Sequence, residues 1–85
     1  LKQISKSQIR KALGQAIRKH RERLDLTQEE LAEKAEVHRT YLADIERGTR
    51  NPSIESIRRV AYALQIPISD LFKTAETDST SRRES

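Results

Sequence analysis

Residues 38–48, HRTYLADIERG, carry the groups best suited to chemistry with a polyanion. On a helical wheel, His38, Tyr41, Leu42 and Ile45 share one arc, while Arg39, Thr40, Ala43, Asp44 and Arg47 share the opposite one. The first arc suits a core. The second is a row of donors, acceptors and one small residue, a surface that can enter a DNA major groove and meet base edges. From the first turn Arg39 can donate two bonds to guanine O6 and N7, and Thr40 offers a hydroxyl and a methyl to thymine. Ala43 would lie close to a base or sugar without obstructing it. Asp44 can accept from cytosine, or orient Arg47 or Arg39. Gln28, Arg47, Arg50 and Asn51 are candidates for contacts to the sugar-phosphate backbone, Gln28 with the support of a helix N-terminus. Tyr41 fits a backbone contact as well as a ring packed at the edge of the core. His38 reads as a cap or a phosphate contact. As a general base it would lack a paired nucleophile, and no other feature of the chain suggests an enzyme.

These side chains need a frame, and the spacing predicts one. Thr27 followed by Glu30 has the form of a capping box and opens a short helix whose Leu31, Ala32 and Ala35 lie on one face with Gln28. After a tight break the helix of residues 38–48 follows, ending at Gly48 as a C-cap. Two helices so joined, the second polar on its outward arc, describe a helix-turn-helix. Before them Ile9, Leu13, Ile17 and Leu24 recur at helical spacing from about Ser7 to Arg23, with Ala12 and Ala16 alongside. Gly14 interrupts that helix, and its small size lets another helix come close. Behind the loop TRNPS, Ser53 caps a fourth helix carrying Ile54, Ile57, Val60, Ala61 and Leu64. Pro67 starts a short fifth one, with Ile68, Leu71 and Phe72 as its apolar residues.

TQEELAEKA, V-x-RTYL, and IERG followed by R-x-P resemble the Cro/cI-type (XRE-like) helix-turn-helix of phage repressors and many bacterial regulators. HRTYLADIERGTRNPS is especially similar to the controller proteins of restriction-modification systems, and the likeness spans roughly residues 12–73. It implies an all-α fold, a compact five-helix phage-repressor-like DNA-binding domain around a central helix-turn-helix. The resemblance also implies an ion pair between Arg21 and Glu46, and the wheel agrees by setting Glu46 at the edge of the core arc. Two positions depart from the family. Glu36 replaces a turn glycine that tends to positive φ, at an expected cost of about 1 kcal/mol. His38 replaces a capping Ser or Thr, so the start of the recognition helix is expected to fray. The implied partners are a double-stranded DNA operator, a second copy of the chain and, as a further candidate, RNA polymerase. An antitoxin of a toxin–antitoxin pair is the alternative reading, because this fold also serves chains whose main partner is a protein.

Composition sets the limits. The sequence has 34% hydrophobic residues with one Phe, two Tyr and no Trp, which allows one small domain with a modest core. Without cysteine, and with two isolated histidines, neither a disulfide nor a zinc site is expected, and no metal or cofactor is implied. No apolar run suits a membrane span or signal sequence, so a cytoplasmic location is expected. The chain begins at Leu1, which leaves room for residues upstream. Net charge is +4, concentrated in the first 23 residues, where Lys2, Lys6, Arg10, Lys11, Arg18, Lys19, Arg21 and Arg23 face only Glu22. Such an excess suits DNA, but on charge alone a solvated helix face is the better reading, and the charge supports the DNA reading only together with the motif. The expected organisation is a flexible segment at 1–6, the DNA-binding domain at 7–73 and a disordered polar tail at 74–85. Ile66, Ile68, Leu71 and Phe72 crowd more apolar surface into a short segment than one small core should bury, so they are expected to form a homodimer interface.

Overall fold

The computed structural model describes residues 3–84, and the side chains of residues 3–77. Its helices are α1 (Lys6–Arg23), α2 (Gln28–Ala35), α3 (Arg39–Arg47), α4 (Ile54–Ala63) and α5 (Ile68–Glu84), with no strand among the described residues. The expected capping box opens α2: Thr27 Oγ1 accepts from the Glu30 N–H at 3.0 Å, and the Thr27 N–H donates to Glu30 Oε1 at 2.8 Å. A second box, Ser5 with Gln8, opens α1 within the segment expected to be loose. Residues 1–2 lie outside the described residues.

α1 packs on α3 and α5, and α2 packs on α3 and α4. The core between them holds Leu13, Ile17, Leu31, Leu42, Ile45, Val60, Leu64 and Leu71. Leu24 and Ile54, expected inside, are 40% and 74% exposed. Each sits at a helix end, Leu24 as the C-cap of α1 and Ile54 as the first residue of α4, where the apolar stripe has already run off the core.

Two expectations fail at the C-terminal end. Helix α5 does not stop near Lys73 but runs on to Glu84, through the stretch expected to be disordered. Its continuation is held on α1 by fully buried Ala75 and by a 3.3 Å hydrogen bond between His20 Nε2 and Thr74 Oγ1. Burial first, then the charge of Arg23, keeps His20 below the usual imidazole pKa, against the pull of Asp70. Leu71, expected in a dimer interface, is fully buried in its own chain, one helical turn before Ala75. Ile66 and Phe72 are half-buried against the same core, and only Ile68 of the four is exposed, at 36%.

Helices α1 to α4 end alike. Residues Asp25, Glu36, Gly48 and Gln65 adopt left-handed backbone, and the next N–H donates to a carbonyl five residues back: Leu26 to Arg21, Val37 to Ala32, Thr49 to Asp44, Ile66 to Ala61. Glu36 lies at φ 57°, as expected from the missing glycine, and its carbonyl accepts from Arg59 Nη1 at 3.2 Å. An L-residue there carries a steric cost that glycine escapes. Glu36→Gly should therefore stabilise the fold by about 1 kcal/mol, read as a higher urea midpoint, whereas Glu36→Ala, which keeps a Cβ, should gain nothing.

Candidate nucleic-acid interface

Helix α3 is presented by two devices on its buried side. Leu42 and Ile45 fill the core, and Glu46, 9% exposed, meets Arg21 of α1 through two parallel bonds, Nε to Oε2 at 2.8 Å and Nη2 to Oε1 at 3.0 Å. The remaining Arg21 nitrogen, Nη1, donates to the Leu26 carbonyl at 2.9 Å, so one guanidinium joins α1, the α1–α2 link and α3. The Glu46 carboxylate bonded to it holds the Arg21 pKa above its usual value. The ion pair implied by resemblance is thus present. Gln28 belongs to the same cluster: its Nε2 donates to Glu46 Oε1 at 3.0 Å. That amide, expected on phosphate, is committed to the interior, because the face of α2 that carries Leu31 and Ala35 carries Gln28 with it.

On the outward side, Arg39, Thr40 and Arg47 are exposed, and Ala43 and Asp44 are half-buried. His38 occupies the N-cap without a side-chain capping bond and is exposed, not on the core-side arc that the wheel assigned it. A wheel assumes helical geometry, and the N-cap backbone at φ −68°, ψ 142° is already extended. Arg39 Nη1 lies 3.4 Å from Glu29 Oε2 of α2. Asp44 bonds Arg47 through Oδ1 and sits 3.5 Å from Arg50 Nη2 through Oδ2, so of the two arginines considered for it, Arg47 is the one it holds. Arg50 also lies over the Tyr41 ring, 4.9 Å from its centroid. Tyr41 packs against the core and its Oη accepts from the Ser53 N–H at 3.3 Å, which ties α3 to the cap of α4. Bonds from Ser56 and Ser53 and the Arg50 charge hold the phenol below its usual pKa, against the effect of burial. Asn51 is exposed in the loop beside Arg50.

One surface residue escaped the sequence reading. Tyr62 is 81% exposed and lines a groove with Lys34, Ala63, Gln65, Ile66 and Pro67. Its only signal was position, an aromatic ring one turn after Arg58 on the polar side of α4.

Helix α3 thus faces outward, bolted to α1 through Glu46 behind a left-handed turn at Glu36. Residues 17–71 match the Helix-turn-helix family. The chain belongs to that family. Control protein C.BamHI of Bacillus amyloliquefaciens is 43% identical over 65 residues, covering 75% of this chain and 80% of that one. Among solved structures, the clp gene regulator ClgR of Corynebacterium glutamicum superposes with a TM-score of 0.86 at 33% identity, covering 89% of this chain and 81% of that one. The restriction-modification controller protein C.Esp1396I, solved as a tetramer with its natural 35 base-pair operator, gives 0.77 at 29% identity, covering 85% of this chain and 95% of that one. These helix-turn-helix relatives are control proteins and regulators, and they give the antitoxin alternative no support. Among the described residues, no helix is long and apolar enough to cross a membrane.

Proposed function

We propose that this helix-turn-helix protein is a cytoplasmic transcriptional regulator that binds a near-palindromic double-stranded DNA operator as a homodimer, in the manner of a restriction-modification controller. The observation that carries the reading is the division of α3: Glu46 is clamped to Arg21 at its back, while Arg39 and Thr40 stand exposed on its first turn. Arg39, Thr40, Ala43 and Asp44 are the base-contacting set. His38, Tyr41, Arg47, Arg50 and Asn51 hold the backbone, with Gln28 contributing through the N-terminus of α2, not through its amide. The operator complex of C.Esp1396I supports both the ligand and assembly into a multimer. Exposed Ile68, and Tyr62 in a groove with half-buried Ile66, supply apolar surface for a two-fold contact. Such a contact would set two recognition helices about one DNA turn, ~34 Å, apart. RNA polymerase is the further partner that a regulator seated on a promoter would meet.

Selection from random DNA followed by titration at two salt concentrations tests this. The wild type should prefer a two-fold site with half-sites one turn apart and should weaken steeply with salt. Arg39→Ala should lose about 1 to 3 kcal/mol on that site and little on random duplex. Equal affinity of the wild type for every duplex would defeat the proposal. Full discrimination retained by Arg39→Ala would move base reading to another element.

A further inference from the structure

Asp44 is the one acidic residue on the outward arc of α3, and a carboxylate turned toward DNA meets phosphate repulsion. Its geometry supplies a reason for its presence. The side chain is 21% exposed, with one oxygen on Arg47 and the other 3.5 Å from Arg50. Those two arginines are otherwise well placed for phosphate, being 62% and 50% exposed at the end of the recognition helix and in the loop beyond it. The backbone carbonyl of Asp44 accepts from both the N–H and the hydroxyl of Thr49, at 3.0 Å and 3.2 Å, which fixes the helix end around the cluster. Arg50 is further held by the Tyr41 ring at 4.9 Å. Three charged groups thus present the surface with a net of one positive charge instead of two.

Resting on the DNA-binding reading above, we propose that Asp44 is a specificity-determining residue that works by restraint: its carboxylate occupies Arg47 and Arg50 until a base offers a replacement donor. On random duplex both arginines can reach phosphate only by leaving Asp44 unpaired in a field of negative charge. On the preferred site the amino group of a cytosine or an adenine donates to Asp44, and the arginines are released to the backbone. Holding is thereby made conditional on reading, and the difference appears as discrimination between sites.

Asp44→Asn tests this, since the amide keeps the shape and one acceptor but loses the charge. Affinity for random duplex should rise on the order of tenfold and the salt dependence should steepen by about one phosphate equivalent, while the preferred site changes much less. Unchanged random affinity and salt slope would overturn the proposal. Loss of a charge near DNA could alone produce such a gain, so the same substitution is made in an Arg47→Ala, Arg50→Ala background. There no arginine remains to be released, so the steepening of the salt dependence should vanish and only the relief of repulsion should remain; an equal steepening in both backgrounds would show simple repulsion and reject the clamp. Asn both donates and accepts, so sites selected by Asp44→Asn should lose a preference for C or A at one position per half-site. If the lost preference is for G or T, the exchange is wrong. Asp44→Ser, measured in parallel, keeps the test available if the Asn variant does not melt cooperatively. A wild type blind to sequence would instead remove the operator reading itself.

Discussion

Gly14→Ala is expected to cost about 3 kcal/mol or more and to leave little cooperative structure. A Cβ at position 14 would lie 2.4 Å from the carbonyl oxygens of both Ile45 and Glu46, which are backbone atoms and cannot rotate aside. Accommodating it requires α1 and α3 to part, and that movement also stretches the Arg21–Glu46 bonds and opens the core around Ile45. Helix propensity works in the opposite direction, since alanine is better than glycine within a helix by about 1 kcal/mol. The sign of the change is therefore decisive. A urea titration in which Gly14→Ala melts at or above the wild-type midpoint would show that the two helices are not in contact there.

The second large effect is expected from Arg21→Ala. Its side chain and that of Glu46 are 11% and 4% exposed, so removing the guanidinium strands a buried carboxylate with only the Gln28 amide beside it. A broken buried pair of this kind costs about 3 to 5 kcal/mol, enough to unfold much of a domain this small. Arg21→Lys should recover little, because an ammonium cannot make two parallel bonds to Glu46 and a third to the Leu26 carbonyl. Replacing both partners by apolar residues of similar size should restore most of the loss. Chemical denaturation of the three variants separates these outcomes. If Arg21→Ala remained as stable as the wild type, the pair would be ornamental, and the seating of α3 would have to come from Leu42 and Ile45 alone.

Local features were legible in the sequence because their causes are local. The Thr27–Glu30 box, the cap at Ser53 and the left-handed residues Glu36 and Gly48 each depend on a few neighbouring backbone groups. Gly14 was also legible as a place of close approach, although nothing in its surroundings named Ile45 and Glu46 as the neighbours. What failed depends on distant partners. Residues 74–77 look polar enough to stay unfolded, yet a helix lying on α1 needs only a narrow stripe, and Leu71 with Ala75 provides it. The same packing withdrew Leu71 from the expected dimer surface. Gln28 and Asp44 were misread or left open for a related reason: a polar side chain near a ligand surface can be engaged by its own protein first. Which of several carboxylates meets which arginine is set by loop geometry between residues 48 and 53, beyond the reach of helical periodicity.

Gly48 repeats the contact of Gly14 from the other side, since a Cβ at the end of α3 would lie 2.9 Å from the Cα of Lys11 in α1. The recognition helix is therefore seated backbone to backbone against one long helix at two places, with the Arg21–Glu46 bonds as a third constraint. A reading element mounted in this way has little freedom to tilt or slide to suit an imperfect groove. On the DNA-binding reading, mutual adjustment falls to the duplex. Base steps that bend or twist at low energy would then be favoured at positions no side chain touches, so part of the operator would be written in the stiffness of the DNA.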